Sequence, residues 1–128
     1  MSGLHVVCLS GTLEKLQFAA MTASVGAACG RPVTVFLSMN ALAYFLKTSA
    51  QKAPAEGPFG LTMAGKNVPP FAKLFEQAVD LGDAGIFACS MAMDVLGVQE
   101  SDLAAHVKGV MGLTKFLSDA EEGQVMIF

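Results

Sequence analysis

The stretch that decides the fold is Ala84-Gly-Ile-Phe-Ala-Cys89-Ser-Met-Ala-Met-Asp-Val-Leu-Gly97. Ala84–Cys89 is a short apolar run and reads as a buried strand. Ser90–Leu96 continues directly as a short helix closed by Gly97. A strand running straight into a helix is the repeating unit of an α/β protein. The same unit recurs upstream. Leu4–Ser10 (LHVVCLS) predicts a strand, and Thr12 can cap a helix that runs to about Ala28. Pro32–Leu37 predicts a second strand, and Ser38 can cap a helix from Met39 to about Lys47.

Downstream, Pro70 fits the first position of a helix whose Phe71, Leu74, Phe75, Ala78 and Leu81 share one face, with Gly82 ending it. Ser101 or Asp102 opens another short piece. His106–Val110 reads as a fourth strand. Leu113, Phe116, Leu117 and Ala120 mark a last helix stopped at Gly123, and Gln124–Phe128 is a terminal strand. Between these units, Ser49–Pro70 holds four of the five prolines and reads as a long loop, a lid or interface segment. The expectation is one α/β domain spanning residues 1–128, with a mostly parallel five-stranded sheet covered on both faces.

Composition narrows the function. The chain has 128 residues, 53% hydrophobic and 15% charged, with net charge −3. Mean hydropathy is +0.53 and the pI about 5.2. Lys and Arg are scattered singly, so no basic face for nucleic acid is expected. The longest apolar stretch, Pro32–Leu46, is broken by Thr34, Ser38 and Asn40 and falls short of the roughly 20 residues a membrane span needs. The Met1–Leu16 start has no Lys or Arg before its apolar run, and Glu14 and Lys15 follow soon after, which does not read as a signal peptide. A cytoplasmic protein that hides surplus apolar surface by self-association is expected. Cys8, Cys29 and Cys89 form an odd set with no CxxC pair, so neither a disulfide framework nor a zinc or other metal site is indicated.

Ligands of open α/β sheets sit beyond the carboxyl ends of the strands. Three segments meet that criterion: Ser10-Gly11-Thr12, Ser38-Met39-Asn40 and Cys89-Ser90-Met91. Main-chain amides and the dipole at a helix start favour an anion, and a thiolate is one. Cys89 is therefore the candidate nucleophile, with the amides of Ser90 and Met91 around it. Ser10, Gly11, Thr12, Ser38 and Asn40 are expected to line the crevice. The alternative reading of Cys89 is a small buried hydrophobe. Cys8 lies inside a strand and Cys29 at a helix end, and both read as packing. Ser10-Gly11-Thr12 could also cradle a phosphate, although a plain capped turn reads more simply. Gly60–Asn67 mimics a phosphate loop but lacks the Ser or Thr, the preceding strand and the following helix, so it is rejected. His106 cannot be placed beside Cys89 by sequence.

Ala88-Cys-Ser-Met-Ala-Met-Asp-Val-Leu-Gly97, after Gly-Ile-Phe-Ala, resembles the cysteine motif of the DsrE/DsrF-like family of small sulfur-handling proteins. The opening VVCLSGTLEKL, the PVTVFLSMNAL segment and the closing GLTKFL and VMIF fit the same layout. The resemblance implies a flavodoxin-like α/β/α fold and trimeric or hexameric assembly. It implies that Cys89 takes up sulfane sulfur as a persulfide, or carries a thiosulfonate, and passes it to a partner such as a TusA-like carrier; no cofactor is expected. No cysteine follows Cys89, so a single-cysteine relay is expected. A non-catalytic nucleotide- or flavin-binding module, and a structural subunit with an inert cysteine, are the rival functions.

Overall fold

The computed structural model describes residues 2–49 and 52–128. Five strands, β1 (Leu4–Cys8), β2 (Val33–Leu37), β3 (Gly85–Cys89), β4 (Gly109–Met111) and β5 (Gln124–Ile127), form one sheet in the order β4-β3-β2-β1-β5. All four pairings are parallel. The chain steps outward from β1 to β4 and then returns past β1 to β5. The helices are α1 (Leu13–Ala28), α2 (Pro58–Ala64), α3 (Phe71–Gly82), α4 (Ser90–Leu96) and α5 (Leu113–Asp119), with 3₁₀ turns at Met39–Phe45 and Glu100–Asp102.

Strand alternation sorts the core into two layers. Leu4, Val6 and Cys8 share a face with Val33, Val35 and Leu37 and with Ile86 and Ala88. This face lies under α1, whose inward residues after Leu16 and Gln17 are small: Ala19, Ala20 and Ala23 are fully buried. Gly26 lies so close to β1 that a Cβ there would stand 2.7 Å from Leu4 Cδ2. The opposite face carries His5, Val7, Phe36, Phe87 and Cys89. There α5 supplies Phe116, which stacks on Phe36 at 4.7 Å and meets His5 edge-on at 5.9 Å.

The structure corrects several expected boundaries. The segment read as a loop contains α2 within 52–70, while Ala50 and Gln51 lie outside the described residues. The helix expected over Met39–Lys47 is a 3₁₀ turn ending at Phe45, and the fourth strand begins at Gly109 rather than His106. Pro70 is the residue before α3, and the left-handed position after it is Asp83 (φ 58°), not Gly82. Leu81 on α3 and Leu113 and Leu117 on α5 point to solvent, Leu81 at 86% exposure. An apolar pattern was enough to predict these helices but not which apolar residues face inward, because large apolar side chains also occur on surfaces. Among the described residues no helix is long and apolar enough to cross a membrane.

Two predictions follow from this core. Phe116→Ala removes the aromatic that roofs Phe36 and His5, and should cost about 3–5 kcal/mol in urea unfolding; a loss under about 1 kcal/mol would mean the second layer is not packed as described. Burial lowers the pKa of both His5 and His106 from 6.5, against the opposing pull of Asp119 on His5 and of Glu76 and Asp80 on His106. Below pH 6.5 the unfolded chain takes up protons that the folded chain refuses, so stability should fall as pH drops through that value. A pH series of unfolding midpoints that is flat from 7 to about 5 would contradict this.

Candidate functional site

The three thiols have different environments. Cys8 is 1% exposed beneath α1, and desolvation pushes its thiol up to about 12. Cys29 is exposed at the C-terminal end of α1, about 24 Å along a 16-residue helix from the carboxyl rim. Cys89 ends β3 and is the residue before α4, with φ −68° and ψ 123°. It faces the sheet side opposite α1, and its register partner on β4 is Met111. Cys89 is 5% exposed, and its side chain makes no capping hydrogen bond to α4. Both Ser90 and Met91, the next two residues, are exposed.

The rim residues form two groups, because the strand order spaces them. Cys89 and Ser90 lie between the ends of β2 and β4. Ser90 Oγ faces Gly112, where a Cβ would stand 3.8 Å away. The Ser10–Thr12 turn follows β1, two strands from β3, or about 10 Å at ~4.8 Å per strand. It packs instead on Asn40: a Cβ on Gly11 would stand 3.0 Å from the Asn40 carbonyl oxygen and 3.1 Å from Tyr44 Cε2. Ser38 precedes the 3₁₀ turn without a side-chain cap bond and is 3% exposed, so it belongs to the floor of the rim rather than to an open crevice. Between the two groups Met39, 54% exposed, adopts φ 50°, a left-handed conformation that costs a non-glycine residue on the order of 1 kcal/mol.

Thr12 does not cap α1 through its side chain. Its hydroxyl donates to Glu56 Oε1 at 3.1 Å. The same strand-to-helix turn carries a residue that the sequence did not single out, Glu14. Its carboxylate accepts the amides of Glu56 (2.7 Å), Gly57 (2.8 Å) and Gly60 (3.2 Å) and so caps α2 from across the fold. These bonds, led by that of Glu56, hold the Glu14 carboxyl below its usual range. Gly60 allows the approach, since a Cβ there would meet the carboxylate at 2.5 Å. Leu13 N donates to the Pro54 carbonyl and Gln17 Nε2 to that of Pro69, so α1 holds both ends of segment 54–69. No local pattern could have revealed Glu14, whose partners lie more than forty positions away.

A concavity of about 890 Å³ runs along the same sheet face from the amino ends of β2 and β3, around Thr34, Gly85 and Phe87, to Met111, the register partner of Cys89. Its charges are mixed, with Asp80, Asp83, Lys108 and Lys115 among them. It contains no cysteine. Among the described residues no group of three or more His, Cys, Asp or Glu side chains is placed to hold a metal ion. Topology favours the carboxyl rim over this larger space as the place of chemistry, because that is where loops converge on a parallel sheet.

A family model, the DsrE/DsrF/DrsH-like family, matches residues 55–128. The uncharacterized protein YrkE of Bacillus subtilis (strain 168) is 30% identical over 152 aligned positions, covering 96% of this chain and 94% of that protein. Among solved structures, the ychN protein from E. coli superposes with a TM-score of 0.68 at 17% identity. MTH1491 from Methanobacterium thermoautotrophicum, a protein of unknown function, gives 0.66 at 11% identity. Both cover the whole of each chain. The chain belongs to the DsrE/DsrF/DrsH-like family, and its all-parallel α/β sheet is the fold of these structures.

Glu14→Ala should release α2 while leaving the sheet intact. Hydrogen exchange at the Glu56, Gly57 and Gly60 amides should accelerate at least about tenfold, with β1 and β2 amides unchanged. Because the folded carboxyl titrates lower than the unfolded one, its contribution is present above the ordinary value of 4.5 and lost as pH falls through the depressed one. Unchanged exchange in the variant would show that α2 is held by other contacts.

Proposed function

We propose that this protein serves sulfur relay, with Cys89 as the carrier of sulfane sulfur. Family membership supports a role of that type, and the position of Cys89 at the carboxyl end of an inner strand carries the assignment to one residue. Cys8 is sealed beneath α1, and Cys29 lies at the far end of that helix. In the step proposed, the Cys89 thiolate attacks a terminal sulfur of a polysulfide. A new S–S bond forms on Cys89 and the shortened polysulfide leaves with the electron pair of the broken bond. An acceptor thiolate, such as that of a TusA-like carrier, then attacks the outer sulfur and Cys89 leaves as thiolate. Both exchanges are redox-neutral and need no cofactor. Thiosulfate would instead leave a thiosulfonate on an oxidised cysteine, so polysulfide is the simpler donor.

Ser90 and Met91 frame the approach, and motion of α4 or of the adjoining loops would open the nearly closed thiol. Ser10, Gly11, Thr12, Ser38 and Asn40 shape the neighbouring rim. The relay would operate as a homo-oligomer, trimeric or hexameric as in the family, in the cytoplasm. A phosphate at the Ser10–Thr12 turn is disfavoured, because the Glu56 and Glu14 carboxylates already occupy its surroundings.

Mass spectrometry after incubation with polysulfide tests the reading. The expected result is a sulfur adduct on Cys89 that disappears in Cys89→Ser and is discharged by an added thiol. Adducts confined to Cys29, or none on a folded protein, would overturn it.

A further inference from the structure

Helix α1 is apolar on both sides. Its inner face packs on the sheet, yet Phe18, Met21 and Val25 follow one another along its outer face at 54%, 44% and 61% exposure. This spacing makes one apolar stripe on a face that otherwise carries Lys15, Thr22 and Ser24. The stripe borders β5, which pairs with β1 on one side only. Phe18 touches the end of this edge through Phe128, ring to ring at 5.7 Å. On the other face of the edge, Val125 and Ile127 are 42% and 64% exposed.

The edge itself is guarded only at its start, where Arg31 donates to the Gln124 side chain at 3.1 Å. Natural edges are blunted by charges, prolines, bulges or extreme shortness. The opposite edge, β4, has only three residues. By contrast β5, Gln124-Val-Met-Ile127, has no charge and no proline. Its even-numbered residues bond to β1: Gln124 N donates to the Gly3 carbonyl and Phe128 N to that of Val7. The N–H and C=O groups of Val125 and Ile127 therefore point away from the sheet.

We infer that β5 and the outer stripe of α1 form a two-fold interface with a second copy of this chain, the two β5 strands pairing antiparallel about Met126. In that register Val125 of one copy meets Ile127 of the other, and the two exchange both main-chain hydrogen bonds. The two-fold axis lies perpendicular to the sheet, so each apolar stripe on α1 faces its counterpart across the seam. A two-fold contact requires a self-complementary patch, and an uncharged strand paired with itself is one. The area suits this occupant. The exposed parts of Phe18, Met21, Val25, Val125 and Ile127 amount to about 500 Å² at roughly 150–220 Å² per fully exposed residue. A standard interface buries about 800 Å² per partner, a little over half of it apolar. The pairing is independent of the chemistry of Cys89.

The test combines a cross-link with a mass measurement. In a Cys29→Ser background, Met126→Cys places two thiols opposite each other at a non-hydrogen-bonded pair, a spacing a disulfide spans. Mild oxidation should convert the folded protein almost wholly to a linked dimer. Ile127→Lys, at a position exposed in the single chain, should halve the native mass in sedimentation, from dimer to monomer or from hexamer to trimer. Leu81→Lys, on a remote exposed site, should leave the mass unchanged. A monomeric or trimeric parent, failure of the folded Met126→Cys variant to cross-link, or an Ile127→Lys assembly of unchanged mass would each overturn the proposal, a trimer because it has no two-fold axis.

Discussion

The architecture depends on how closely α1 can seat against the sheet. Beyond Leu16 and Gln17 its inward residues are alanines and a glycine, and nothing larger fits at Gly26 above Leu4. At the other side of α1, a Cβ on Gly82 of α3 would come within 2.2 Å of the Ala27 Cβ. These two contacts set α1 between β1 and α3, and α1 in turn holds segment 54–69 through Leu13, Glu14 and Gln17. The same seating decides the fate of the cysteines. Strand alternation turns Cys8 toward α1 and Cys89 away from it, so one thiol is walled in by the tightest layer of the fold and the other closes the thinner layer at the rim.

Much of the sheet was legible because its strands are short apolar runs punctuated by capping residues, and such signals are local. The Ala84–Gly97 stretch gave the third strand, its helix and the closing Gly97, which the structure places in the left-handed region at φ 68°. Segment 49–70 was misread for a physical reason. Its prolines and glycines suggest irregular chain, but Pro58 sits at the first turn of α2, and the cap that completes this short helix is a carboxylate from α1. The start of β4 was placed too early because Ala105-His106-Val107 continues the apolar run. The chain pairs with β3 only from Gly109.

The candidate site was legible in part. The place of Cys89 at a strand-to-helix junction is a local property and could be read. The grouping of Ser10, Gly11, Thr12, Ser38 and Asn40 around it could not, because it depends on strand order. The order β4-β3-β2-β1-β5 puts the β1 turn two strands from Cys89 and against Asn40. Solved structures at 17% and 11% identity share the fold, and a fold of this kind hosts many functions. The functional account therefore rests on the environment of one sulfur: recessed enough to protect a persulfide from bulk water, close enough to the rim for a small donor.

Site-resolved labelling of the three thiols in the native protein, with electrophiles of increasing size, tests that environment most directly. The account predicts that Cys29 reacts with every reagent, that Cys8 reacts with none until the protein unfolds, and that Cys89 reacts with the smallest and excludes the bulky ones. A Cys89 thiol as silent as Cys8 toward even the smallest reagent would contradict it.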